Sequence, residues 1–197
     1  MLNGQLPPQA ILDKINMEVV KVSADGAGLH LQPDYVVGDM DSSDFIHDNS
    51  KFFKIADQST TDFEKCLNFV KEKVLYPTLV LGIAGGEIDH TINNFMIFVN
   101  APYPLYCLDY AKPNQLKFGI AVRSSVKMHL PINSIVSILP FFSAKVSTKG
   151  LEWEMNNTQL SYNGLRSARN RNILENIEIN VHEGQVLLFA EVSNILV

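Results

Sequence analysis

The chain has 197 residues, 46% of them apolar, and 16 Lys and Arg against 21 Asp and Glu give a net charge of −5. That length buries a full core as one large domain or two small ones, whereas the acidic balance excludes nonspecific nucleic-acid binding, which needs basic side chains to neutralise phosphates. With no apolar run of bilayer length and no basic-then-apolar leader, the expectation is a cytoplasmic protein with no membrane segment. Cys66 and Cys107 lie far apart without CxxC or CxxH spacing. Neither a disulfide framework nor a zinc site is therefore expected, and both read as small buried apolar groups.

Short apolar runs alternate with helical patterns in the first half, the mark of a parallel α/β sheet. "EVVKVSADG" reads as strand then turn, "DYVVGDMDS" as strand then acidic loop, and "PTLVLGIAGG" as strand then glycine turn. Between the last two, Phe63, Cys66, Leu67, Val70 and Val74 recur on one helical face, with Lys65, Lys71 and Glu72 mostly off it. Thr61 followed by Glu64 fits a capping box, so this helix should begin at Thr61 or Asp62. A second helix is expected from about His90 through "TINNFMIF", and "PLYCLDY" reads as one more strand. Beyond about Lys112 the helical period disappears. "LKFGIAV", "SVKMHL", "SIVSILP", "IEINVH" and "QVLLFAEV" are strand-length runs separated by turn residues such as Pro131-Ile132-Asn133 and Glu183-Gly184. The expected fold is α/β plus all-β: a three-layer α/β domain with a mostly parallel sheet over residues 1–112, then a β-sandwich over 113–197.

Open parallel sheets bind ligands at the carboxyl ends of their strands, and those ends carry the chemistry here. Asp39 and Asp41 are two positions apart, so in extended chain they share one side and can converge on a hard cation such as Mg²⁺. Asp25 is another strand-end acid, followed by Gly26. "ADQSTTD" supplies Asp57, Gln58 and Asp62, the last in a first helical turn where the dipole favours a carboxylate with or without a ligand. Gly85 and Gly86 precede a helix and would let backbone N–H groups approach an anion. Strand-end carboxylates combined with glycine turns suit a metal–nucleotide site better than unrelated turns do. In the second half, Trp153 lies between Glu152 and Glu154, and Arg166, Ser167, Arg169, Asn170 and Arg171 cluster in one polar stretch. Core packing for Trp153 and a solvated loop for the arginines are equally open on spacing alone.

Taken together, these motifs resemble the thiamine pyrophosphokinase family nearly end to end. "PDYVVGDMDS" is similar to its PD…GDxDS loop, "DQSTTDFEKCL" to DQxxTDxxKAL, "GGEIDHTINN" to GGRxDHxLxN, and "ADGAGLHL" to its ADGGA turn. "STKGLEWEMNN" and "NGLRSARN" resemble TxGLxWxLxN and GxxSxSN. The resemblance implies an ATP-binding α/β domain, a thiamine-binding β-sandwich, and a homodimer with active sites shared between subunits. It implies diphosphate transfer from ATP to the hydroxyl of thiamine, giving thiamine diphosphate and AMP. By position it makes Asp39, Asp41 and Asp62 the catalytic, Mg²⁺-binding carboxylates. Asp25, Gly26, Gln58, Gly85, Gly86 and Asp89 fall on the nucleotide side, and Trp153, Ser167 and Asn170 on the thiamine side. Glu87 stands where the family commonly has Arg, and Arg169 replaces a small polar residue. Two alternatives keep the fold and change the function: a thiamine- or nucleotide-binding regulatory protein without transfer, or a Mg²⁺-dependent nucleotide hydrolase.

Overall fold

A computed structural model describes residues 1–15, 19–27, 31–39, 51–112 and 115–192. The chain divides into two compact units, Met1–Ala111 and Lys112–Val197.

The first unit holds helices α1 (Gln9–Ile15), α2 (Asp62–Glu72) and α3 (Ile88–Asn100), with strands β1 (Val22–Ala24), β2 (Tyr35–Gly38), β3 (Lys51–Lys54), β4 (Thr78–Leu81) and β5 (Leu105–Lys112). β1, β2 and β3 pair in parallel, as do β4 and β5. The first residues of the chain bridge the two sets. Ala24 N donates to Met1 O, while Leu2 N, Gly4 N and Gln5 N donate to Leu81, Gly82 and Ala84 carbonyls at 2.9, 2.9 and 2.6 Å. All the strands then point their carboxyl ends the same way, which brings the loops after β1 and β2 together. α2 packs on β1 and β2 through Phe63, Cys66, Leu67, Phe69 and Val70. Its capping box is present: Thr61 Oγ1 accepts from Glu64 N, and Glu64 accepts from Thr61 N.

The helical stripe differs from the sequence reading at two positions. Val74 lies past the end of α2, at φ +56 and exposed, because the helix stops at Glu72 with Lys73 as its C-cap. Lys65, expected off the stripe, is buried with only 3% exposed. α3 starts at Ile88, two residues before the expected His90, since extended Glu87 provides the N-cap without a side-chain bond. α1 and β3 have no counterpart in the sequence reading. α1 buries only Leu12, and β3 is a lysine-flanked edge strand with mostly exposed side chains, so neither has a strong periodic signature.

The described part of the second unit is antiparallel β structure: β6 (Gln115–Val122), β7 (Ser125–His129), β8 (Ile135–Lys149), β9 (Thr158–Ser161), β10 (Ser167–Arg171) and β11 (Asn176–Glu191). β8 and β11 pair along most of their length. The early part of β11 also pairs with β7, and its later part with β6; β9 and β10 flank opposite ends of β8. Two layers thus share the same long strands, the sandwich expected. Its core is the alternating inward set that includes Val136, Ile138, Val146, Leu160, Ile179 and Leu188. Glu183-Gly184, read from sequence as a turn between strands, is instead a bulge inside β11. The ladder shifts register on both sides of it, and Gly184 takes φ +74 with no room for a Cβ against Ser143 O. Such bulges bend long strands from one layer to the next.

Candidate active site

Parallel register explains how the acids of the first unit meet. Ala24 pairs with Val37, so Asp25 and the Gly38-Asp39 step leave the sheet side by side. Asp25 N donates to Val37 O at 2.8 Å, and Asp25 takes φ +43, a left-handed conformation that Asp adopts more readily than most residues. Position 38 must be glycine for this approach, because a Cβ there would lie 2.9 Å from Asp25 Cβ. Asp62, at the start of α2, completes the group: carboxylate oxygens of Asp25, Asp39 and Asp62 all lie within 4.8 Å of one another. Asp25 is 5% exposed and its Oδ1 is buried without a hydrogen-bond partner. A buried carboxylate oxygen normally finds a donor, so an unsatisfied one on an acid grouped with two further carboxylates suits a bound cation. Asp41 lies outside the described residues.

Neighbouring side chains hold this cluster. Gln58 Nε2 donates to Asp39 Oδ2 at 3.0 Å, and Lys65 Nζ donates to Asp62 Oδ1 at 2.9 Å. The bond to Asp62, aided by the charges of Asp62, Asp39 and Asp57, holds the Lys65 ammonium protonated above the ordinary lysine range despite burial. Asp57 organises the loop instead of joining the cluster. It accepts from Ser59 Oγ, Ser59 N and Thr60 Oγ1 at 2.7, 2.9 and 2.7 Å, and these bonds pull its carboxyl down to about 2.

Gly26 lies in the turn after Asp25, and Gly85 (φ +97) and Gly86 in the turn before α3. Nothing lies within 4 Å of where a Cβ on Gly86 would stand, so that backbone is open to approach. Asp89 is exposed in the first turn of α3, where it accepts from His90 N at 2.9 Å and lies near Glu87 and His90.

In the second unit Trp153 is 57% exposed, which removes the core reading left open by sequence. Asn170, only 2% exposed, fastens it on both sides: Asn170 Oδ1 accepts from Trp153 N at 3.2 Å, and Nδ2 donates to Trp153 O at 2.9 Å. The same side chain also accepts from Arg171 N and donates to Ser167 Oγ, at 2.8 and 3.3 Å. The Arg171 guanidinium stands 5.7 Å from the indole centroid and pairs with Glu152. Glu154 accepts from Gly150 N, Leu151 N and Thr148 Oγ1. Of the two acids beside Trp153, one therefore fixes the turn and the other anchors an arginine. Arg169 is exposed at φ +59, its N–H donating to Ser137 Oγ.

Residues 12–104 match the family model for the thiamin pyrophosphokinase catalytic domain, and residues 120–186 match that for its vitamin B1 binding domain. The chain belongs to the thiamin pyrophosphokinase family. It is similar to "Thiamine pyrophosphokinase 1" of Arabidopsis thaliana, 29% identical over 178 residues, covering 80% of this chain and 64% of the relative. A protein of the same name from Oryza sativa subsp. japonica is 30% identical over 171 residues, covering 74% and 61%. The chain thus spans a little under two thirds of these curated relatives. The fold matches the crystal structure of thiamine pyrophosphokinase from Bacillus subtilis with a TM-score of 0.79 over 97% of each chain, at 17% identity.

Two features of these sites escaped the sequence reading. Asp25 joins Asp39 and Asp62 directly, and Lys65 is buried against Asp62. Opposite charges three apart on a helix, as in Asp62 and Lys65, are the local signal that could have found the second. Among described residues, no helix is long and apolar enough to cross a membrane.

Proposed function

We propose that this protein transfers the diphosphate of ATP to the hydroxyl of thiamine, releasing AMP. The reading rests on one observation above the others: the Asp25, Asp39 and Asp62 carboxylates converge at the strand ends of a chain of this family, and one buried oxygen lacks a partner. Asp39 and Asp62, with Asp25 and Asp41, would hold Mg²⁺. The chemistry the ion would supply is neutralisation of polyphosphate charge, which would open phosphorus to attack.

The residues themselves orient and exchange the proton. Gln58 and Lys65 fix two of the carboxylates, and the open backbone at Gly86 leaves room for the nucleotide to approach. The thiamine hydroxyl oxygen forms a bond to the β-phosphorus, and the bond from that phosphorus to the oxygen bridging to the α-phosphorus breaks. That oxygen leaves on AMP, and the hydroxyl proton passes to one of Asp39, Asp41 and Asp62. In the second unit, the exposed indole of Trp153 presents an electron-rich face to the cationic thiamine, a contact of about 0.5–2 kcal/mol. We place the two substrates on different copies of a homodimer, thiamine on one and ATP on its partner.

Purified protein incubated with ATP, Mg²⁺ and thiamine, followed by phosphorus NMR with Asp39→Asn in parallel, tests this. AMP and thiamine diphosphate, lost in the variant, are expected. ADP or free phosphate formed regardless of thiamine would replace the reading with a hydrolase, and thiamine binding without turnover would replace it with a binding protein.

A further inference from the structure

Lysine is almost never fully buried unless it is paired, yet Lys65 is 3% exposed on a helix whose other buried residues are Phe63, Cys66, Leu67, Phe69 and Val70. A lysine free to choose would extend its four-carbon stem to water. This one turns its ammonium to Asp62 Oδ1 at 2.9 Å, at the rim of a cluster that also contains Asp39 and Asp25. We infer that Lys65 is a positioning residue for the carboxylate cluster, fixing the Asp62 carboxylate by one oxygen so that a divalent cation meets a preformed set of ligands. The inference rests on the metal-binding reading above and assigns to Lys65 a role in affinity for the ion, separate from any contact with substrate.

Two arguments favour a fixed partner over a displaceable counter-ion. The side chain is 3% exposed, so withdrawal of the ammonium to water would require the surrounding packing to open. Asp62 and Lys65 are also three residues apart on one helix, so their relative placement is set by the backbone and needs no loop to close. Carboxylate ligands are oriented by such hydrogen-bonding partners, whose loss lowers metal affinity by about 10–100-fold.

Simple charge counting predicts the opposite. Removing a positive charge beside three carboxylates should strengthen attraction for a cation. Calorimetric titration of the full chain with Mn²⁺ and with Mg²⁺, without nucleotide or thiamine, therefore separates the two ideas. Positioning predicts that Lys65→Met, folded by circular dichroism, binds both ions about 10–100-fold more weakly than the wild type. Equal or tighter binding in the variant overturns the inference while leaving the metal site intact. Absence of binding in the wild type overturns the metal reading itself. Should Lys65→Met not fold, the Lys65 ¹⁵Nζ resonance of the wild type, assigned through its side-chain connectivity, decides the matter. An ammonium signal that persists on saturation with Mg²⁺ supports a fixed partner, and one lost on addition of the ion shows a displaced counter-ion and overturns the inference.

Discussion

Asp25→Asn removes one negative charge from the carboxylate cluster while keeping the shape of the side chain and the turn. Two unit charges 4.8 Å apart repel by about 3.5 kcal/mol at an effective dielectric of about 20. Asp39 and Asp62 are half-exposed and Lys65 already offsets Asp62, so solvent and the lysine reduce the net relief to about 1–2 kcal/mol. The amide also supplies a donor to the neighbouring carboxylates, where Asp25 Oδ1 has no partner. Without divalent ions, the variant should therefore melt about 2–8 °C higher, at about 2–4 °C per kcal/mol for a chain of this size. Mg²⁺ should raise the melting temperature of the wild type and leave that of the variant nearly unchanged. Differential scanning calorimetry with EDTA and then with excess Mg²⁺ makes both comparisons. A variant less stable than the wild type in EDTA, or one that keeps the full Mg²⁺ shift, refutes the claim that this oxygen is part of a cation site.

Further outcomes are expected at other positions. Trp153 is the only tryptophan, so thiamine should quench the intrinsic fluorescence, and Trp153→Ala should weaken thiamine binding about 2–30-fold by calorimetry, matching an aromatic–cation contact of about 0.5–2 kcal/mol. Asn170→Ala removes a buried clamp with bonds to Trp153, Ser167 and Arg171; a loss of about 2–3 kcal/mol in urea unfolding is expected, since buried groups are left unsatisfied. Burial pushes the Cys66 thiol up to about 12, so the folded protein should not react there with a thiol reagent at pH 8, and reaction at the native rate of a free thiol would contradict its placement. Asp57 is depressed to about 2 by Ser59 and Thr60. A carboxylate lowered on folding contributes stability that is complete above its usual value near 4 and is lost as pH falls toward 2, so acid unfolding of Asp57→Asn should lack that part of the slope.

Local sequence determined the parts whose causes are local. The Thr61–Glu64 capping box began α2 because both of its bonds join residues three apart, and strand-length runs between turn residues marked the strands of the second unit, where burial along β8 largely alternates because side chains in a strand change face at every step. The family motifs likewise marked the strand-end loops as the place for chemistry. The resemblance grouped Asp39 with Asp62, but tertiary structure alone decided that Asp25 meets them. Parallel pairing of Ala24 with Val37 brings Asp25 beside Asp39, and packing of α2 on those strands adds Asp62, with no spacing in the chain to show it. The same packing buried Lys65, because a lysine on a helix is inside or outside according to what faces it. Glu183-Gly184 resembled a turn for a related reason: a glycine at positive φ serves a turn and a bulge equally well. Only the pairing of β8 with both halves of β11 distinguishes them.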